Sequence, residues 1–263
     1  MLLDIQDLSV SYRGDDGEVT AAACGVSLTL ACGEVLGIVG ESGSGKSSVA
    51  LSVPRLLPSP PAFWPSGRIL FEGEELLSMP LPALREIRGR RIGVVFQDPM
   101  GSLSPLHRIG DQLVETVRLH EPVSRAAARE MAVEWLGKVG IPDPEQRARA
   151  YPHELSGGMQ QRVMIAMGLM LEPDLVIADE PTTALDVTVQ AQILRLLKSL
   201  HRANSGILLI THDLGVVSQM ATKVAVMKSG RVIETSDDPA AFFAAPKDPY
   251  SQALIREARR FVI

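Results

Sequence analysis

Residues 40–47 read GESGSGKS and follow directly on the apolar run GEVLGIV at 33–39. Gly40, four residues, then Gly45-Lys46-Ser47 satisfies the pattern G-x-x-x-x-G-K-[ST] in a strand–loop–helix setting. Glycines let backbone N–H groups turn inward around phosphate oxygens, and the N-terminus of the helix that follows adds partial positive charge. Lys46 is then the cation for the β- and γ-phosphates of a nucleotide, and the Ser47 hydroxyl a ligand for Mg2+. Glu41, Ser42, Gly43, Ser44 and Ser48 complete the expected loop. An ordinary Gly/Ser-rich turn would need neither the lysine nor the flanking strand and helix.

LVIADE at 175–180 supplies a second element. An apolar strand would deliver Asp179 to the carboxyl end of a sheet, where it can hold Mg2+. Glu180 follows at once, placed to orient or deprotonate a water molecule, and a general base of this kind contributes roughly 10²–10⁴-fold in rate. An apolar or amide residue at 180 would instead suggest a nucleotide-dependent switch without turnover.

Around these two motifs the pattern is α/β. Leu8, Val10 and Tyr12 alternate, as do Val26, Leu28 and Leu30, at the period of half-buried strands. The run at 33–40 is apolar but for Glu34, and those at 175–178, 207–210 and 224–227 are continuously apolar, as fully buried parallel strands are. Helical patterns at 188–203 and 213–221 lie between them, so a mostly parallel sheet covered on both faces is expected. Residues 98–160 differ: Ile109, Leu113, Val117 and Ala132, Leu136, Val139 recur at helical spacing, with a break at IPDP (141–144) and no strand run. The expected organisation is one domain, with 1–97 and 161–235 as α/β core and 98–160 as an inserted helical subdomain. Residues 236–263 then form a C-terminal helical appendage containing AAFFAA and PYSQALIREARRF.

The chain has 263 residues, enough for a full α/β core, and no internal repeat. Its 26 basic and 31 acidic residues give a net charge of −5, which argues against a nucleic-acid-binding face. The run Arg85, Arg88, Arg90, Arg91 reads as a solvated helix face. No apolar stretch approaches the ~20 residues that span a bilayer. The opening MLLDIQDLSV alternates like a strand rather than a signal peptide. Cys24 and Cys32 make neither a disulfide framework nor a metal cluster. These features predict a cytosolic chain, linked to a membrane only through a partner.

LSGGM at 155–159, followed by QQRVMIA, resembles the signature segment of ATP-binding-cassette (ABC) ATPases, and the likeness extends over nearly the whole chain. It implies a P-loop NTPase of the ABC type, with an N-terminal antiparallel β-subdomain and an inserted α-helical subdomain. It also implies Tyr12 stacking on adenine, Gln97 contacting Mg2+ and water, Asp186 in a loop linking two nucleotide sites, and His212 touching the γ-phosphate. Ser156, Gly157 and Gly158 would face the ATP of a second chain, identical or related, in a head-to-tail dimer, so that each site is built from two chains. Met159 replaces the commonest Gln of the motif, a mild departure because the glycines make the contact.

Segments 94–113, 151–159, 177–194, 210–217 and 241–254 resemble the peptide/nickel branch of bacterial importer ATPases. That resemblance implies a peripheral subunit at the cytoplasmic face of the membrane. Its expected partners are membrane-spanning permeases, met near Gln97–Leu106, and, indirectly, an extracytoplasmic substrate-binding protein. Longer peptide-type members carry a Cys-rich C-terminal extension associated with an iron–sulphur cluster. Its absence leans the expectation slightly towards the nickel-like members. The rival readings are an ABC ATPase of DNA repair or translation, and a regulatory module without turnover, which Glu180 and His212 oppose.

Overall fold

Alternating apolar residues at the N-terminus build an antiparallel sheet in the computed structural model, which describes residues 1–182 and 185–260. The chain divides into two compact units, Met1–Leu84 with the described residues from Arg202 onward, and Arg85–His201. In the first, β1 (Leu3–Arg13) pairs antiparallel with β2 (Val19–Leu30). The chain then runs through β3 (Val35–Val39) and α1 (Lys46–Ser52) and returns as β4 (Ala62–Phe71) and β5 (Glu74–Glu75). The resulting order is β2-β1-β4-β5. Burial along β1 changes phase from Leu3 and Ile5 to Leu8 and Val10. The register shifts against both neighbours at that point, with Asp7 at φ 48 in the left-handed region, as at a β-bulge.

Helix α2 (Leu81–Ile87) leads into the second unit. There β6 (Ile92–Val95) lies parallel to β7 (Leu175–Asp179), whose five residues are all buried. Between these strands the described chain is helical: α3 (Pro99–Ser102), α4 (Ile109–His120), α5 (Arg125–Lys138), α6 (Pro144–Arg147), a 3-10 turn at Pro152–Glu154 and α7 (Gly157–Leu169). Helix α8 (Val187–Leu200) closes the unit. The residues with helical spacing, Ile109, Leu113, Val117, Ala132, Leu136 and Val139, are all buried. Ser124 starts α5 by accepting the Ala127 N–H at 3.1 Å. The arginine run does not form one helix face. Arg85 alone is on α2, Arg88 is in a bridge with Ile92, Arg90 lies 3.7 Å from Glu121, and Arg91 pairs with Asp174 at 2.9 Å. The helix ends at Ile87, and Gly89, at φ 76, turns the chain so that Arg90 and Arg91 lie on the entry to β6 instead of on the helix.

Strand β6 passes close to α7 through Gly93. A Cβ there would lie 2.0 Å from the Gly168 carbonyl oxygen, backbone that cannot give way locally. Gly93→Ala should therefore cost roughly 2 kcal/mol or more of stability by overpacking. Denaturant unfolding of the two proteins is the measurement. An unchanged midpoint would show that the strand–helix approach is looser than this distance implies.

The chain returns to the first unit as β8 (Gly206–Thr211), α9 (Leu214–Met220), β9 (Lys223–Lys228) and β10 (Arg231–Ser236). Strand β3 lies parallel between β8 and β9, and β10 pairs antiparallel with β9. Helices α10 (Pro239–Ala244) and α11 (Pro249–Arg260) pack on this sheet, and Phe242 and Ile255 join Val39, Leu214, Val217, Val224 and Val226 in one buried cluster. Each such burial contributes about 1.5–3 kcal/mol against an exposed reference. The α/β class with parallel strands and an N-terminal antiparallel sheet is as the sequence predicts. Thr183, Ala184 and Phe261–Ile263, which fall within two of the expected segments, lie outside the described residues. No helix among the described residues is long and apolar enough to cross a membrane. Cys24 and Cys32 are both free thiols.

Candidate functional site

The candidate residues are distributed over both units. In the first, β3 ends at Val39, and Gly40 begins the loop at φ 155. A Cβ on Gly40 would meet the Met227 carbonyl oxygen at 2.1 Å, and one on Gly45 (φ 97) the Ala22 carbonyl oxygen, also at 2.1 Å. Glycine at 40 and 45 is thus required by close backbone approach as well as by dihedral angle. Glu41, Ser42 and Gly43 are exposed, Ser44 is buried, and the Gly230 N–H donates to the Ser44 carbonyl at 3.0 Å. Lys46 opens α1 but its ammonium turns back into the loop. It donates to the carbonyls of Gly40 and Glu41, each at 2.8 Å, and to Ser44 Oγ at 3.4 Å. The side chain is only 4% exposed, and these carbonyls contribute to compensating its buried charge.

Strand register sets the neighbours of this loop. Val39 of β3 pairs with Thr211 of β8, so Gly40 and His212 leave the carboxyl ends of adjacent parallel strands. His212 is exposed, and Asp213 behind it caps α9 by accepting the Gly215 N–H at 2.7 Å. Tyr12 lies on β1 with its hydroxyl 3.0 Å from Ser48 Oγ of α1. It is thereby tied to the helix that follows the loop.

The second unit repeats the device. Val95 of β6 pairs with Ala178 of β7, so Gln97 and Glu180 emerge from the same ends of adjacent strands. Gln97 Nε2 donates to Glu180 Oε2 at 3.2 Å. Asp179 ends β7 at 5% exposure, whereas Glu180 is half-buried with φ 46, a left-handed conformation that costs a non-glycine residue about 1–2 kcal/mol. Strain of this kind is commonest where the surrounding structure serves a site.

In the same unit Ser156 caps α7, its hydroxyl accepting the Met159 N–H at 3.4 Å, and both Ser156 and Gly157 are exposed. A Cβ on Gly158 would lie 3.0 Å from Val189 Cγ1. Asp186 caps α8 by accepting the N–H of that same Val189 at 2.9 Å. One residue of α8 therefore links the Gly158 turn to the Asp186 loop, and Arg162 of α7 donates to Gln192 of α8 at 2.8 Å. The residues that sequence reasoning singled out thus form local sets: 40–48 with Tyr12 and His212 in one unit; Gln97 with Glu180, and Ser156–Gly158 with Asp186, in the other.

Two supports carry no signal in the sequence. Buried Gln112 donates to the carbonyls of Ser104 and His107 at 3.1 and 3.0 Å and accepts the Ser104 N–H at 2.9 Å, fixing the turn before α4. Leu106, 82% exposed, sits on that turn. Tyr250 of α11 reaches the loop itself, its hydroxyl accepting the Glu41 N–H at 3.2 Å. A polar residue inside a helical pattern gives no signal for the first. The Pro-Tyr pair at 249–250 was visible without indicating a contact.

Comparison with known proteins gives consistent matches. The family model described as ABC transporter matches residues 24–183. The chain is 52% identical over 256 residues to the probable peptide ABC transporter ATP-binding protein y4tR of Sinorhizobium fredii, covering 97% of this chain and 76% of that protein. It is 49% identical over 255 residues to the oligopeptide transport ATP-binding protein OppD of Bacillus subtilis, covering 97% and 71%. Among solved structures, the dimeric post-hydrolysis state of the ATP-binding cassette MJ0796 bound to ADP and Pi superposes with a TM-score of 0.79 at 28% identity, covering 89% of this chain and 97% of that one. The structure of cbiO1 from Clostridium perfringens, part of the ABC transporter complex cbiONQ, gives 0.74 at 31% identity, covering 100% and 99%.

Proposed function

Because this chain belongs to the ABC transporter family, we propose that it is the ATP-hydrolysing subunit of an importer, energising uptake of a peptide or related small solute through membrane-spanning partners. The observation that carries this reading is the loop at 40–46, two glycines pressed against backbone carbonyls around a buried lysine. In our reading Gly40–Ser48 wrap the phosphates of ATP, Lys46 neutralises the β/γ pair, Tyr12 stacks on the base, and His212 contacts the γ-phosphate. Glu180 accepts a proton from the attacking water, which Gln97 helps to orient. Their hydrogen bond supports that pairing.

We also assign Mg2+ as the cofactor of this reading. The Ser47 hydroxyl, the Gln97 amide oxygen and the Asp179 carboxylate are hard oxygen ligands. When bound, the ion would offset negative charge on the phosphates. Ser156–Gly158 and Asp186 we assign to the surface that meets a second ATPase chain, and residues 98–160 to a helical subdomain that meets the permease near Gln97–Leu106. Exposed Met100 and Leu106 suit that docking role. We place the subunit peripherally at the cytoplasmic face of the membrane, served indirectly by an extracytoplasmic binding protein. Peptide is favoured as cargo by the names of the relatives; nickel remains within the branch. A role in DNA repair or translation is disfavoured by the same names.

Lys46→Ala tests the phosphate loop directly. Loss of a charge-assisted contact should weaken ATP binding by roughly 10- to 100-fold. Titration with a fluorescent ATP analogue reads it, and unchanged affinity would remove Lys46 from nucleotide binding. Co-purification with a membrane-spanning subunit tests the transport assignment.

A further inference from the structure

The C-terminal helix touches the phosphate loop at one peptide group. The Gly40–Glu41 peptide is held at both ends: its carbonyl oxygen accepts Lys46 Nζ at 2.8 Å, and its N–H donates to the Tyr250 hydroxyl at 3.2 Å. The tyrosine is itself fixed. Lys228 Nζ stands 4.5 Å from its ring centroid, and the Tyr250 N–H donates to Asp248 Oδ1 at 2.8 Å. The carboxylate of Glu234 on β10 in turn accepts the N–H groups of Lys247 and Asp248, at 2.8 and 3.0 Å. Burial of Phe242 and Ile255 seats the two terminal helices on β3 and β9, the strands that carry the loop and the Lys228 turn. Burial also raises the Tyr250 phenol above its ordinary value; the Glu41 N–H opposes that rise and the Glu41 carboxylate adds to it. The hydroxyl therefore stays protonated around neutrality.

We propose that Tyr250 is a positioning residue for the phosphate loop, fixing the Gly40–Glu41 peptide whose carbonyl holds Lys46. The helix is not simply packed on the core; it sets the orientation of a peptide within the nucleotide site. An N–H that donates polarises its own carbonyl, so the Tyr250 contact also strengthens the acceptor that Lys46 uses. A loop already ordered binds nucleotide without further loss of backbone freedom. This inference rests on the reading of residues 40–48 as the ATP site.

The test is Tyr250→Phe in the full chain, which keeps the ring, its packing and the Lys228 contact and removes only the hydroxyl. ATP-analogue affinity and the KM for ATP should worsen by roughly three- to tenfold, as for loss of the hydrogen bonding between the hydroxyl and Glu41. The turnover number should stay within about twofold, and the melting temperature without nucleotide should be unchanged. Lys228→Met, which loosens the ring, should shift KM in the same direction by less. Unchanged KM in Tyr250→Phe overturns the proposal. So does a rise in KM accompanied by a lower nucleotide-free melting temperature, which would mark a structural role. Lys46→Ala run in parallel separates the two readings. If it too leaves affinity unchanged, the ATP-site assignment fails; if it abolishes binding while Tyr250→Phe does nothing, only the Tyr250 proposal fails.

Discussion

Glu180→Gln should bind ATP normally and turn it over at least about 10²-fold more slowly, because the amide is isosteric but cannot take up the proton of the attacking water. The local structure favours a clean experiment. Glu180 occupies a left-handed conformation, and glutamine pays a similar cost there. Its side-chain oxygen can still accept the Gln97 amide that now donates to Glu180 Oε2 at 3.2 Å. Asp179, buried at the end of β7, is untouched. The loss should therefore appear in kcat while nucleotide affinity stays near that of the parent protein, and nucleotide-bound dimers should accumulate. Steady-state ATPase within a few-fold of the parent would show that another group serves as base. A parallel fall in affinity would instead point to disruption of the strand ends.

The motifs at 40–47 and 175–180 were readable because their chemistry demands particular residues at fixed spacing along one short segment. Strands β3, β7, β8 and β9 were readable for a related reason, since burial on both faces gives each an uninterrupted apolar stretch, with polar residues such as Asp179, Thr211, Lys223 and Lys228 only at the strand ends. Strand β4 was not. It contains Pro65 and Gly67, residues that lower strand propensity, and its exposure changes irregularly along its length. Strand β10 is largely half-exposed and polar, an edge partner of β9 recognisable only from its pairing. The arginine run failed as one helix face because a single glycine, Gly89, redirects the chain. Relations between distant segments were equally hidden. The Tyr250–Glu41 contact spans 209 residues of sequence, and no local rule connects a tyrosine in a C-terminal helix to a peptide N–H in the phosphate loop. The Gly158–Val189 contact is of the same kind: each motif is legible alone, their packing is not.

A Ser156→Arg chain should lose nearly all ATPase in the assembled transporter while its own phosphate loop still binds ATP. Ser156 is exposed at the start of α7, so an arginine there would not be forced into the core but would obstruct whatever approaches this surface. The substitution also deletes the hydroxyl that caps α7 through the Met159 N–H, a loss of about 1 kcal/mol. Ser156→Ala removes the same cap without bulk and serves as the control; it should remain active. Obstruction predicts complementation. A dimer of one Ser156→Arg chain and one Lys46→Ala chain has one composite site with an intact loop facing an intact LSGG segment, while the other site carries both lesions. If two chains build each site, mixing the mutants should restore ATPase that neither shows alone, provided that one intact site turns over by itself. The assay is run on the chains reconstituted together with the membrane-spanning subunits. Full activity of Ser156→Arg on its own would sink the trans-acting role of this segment. Inactivity shared equally by Ser156→Ala would show that loss of the serine hydroxyl, and not obstruction by the arginine, is what stops turnover.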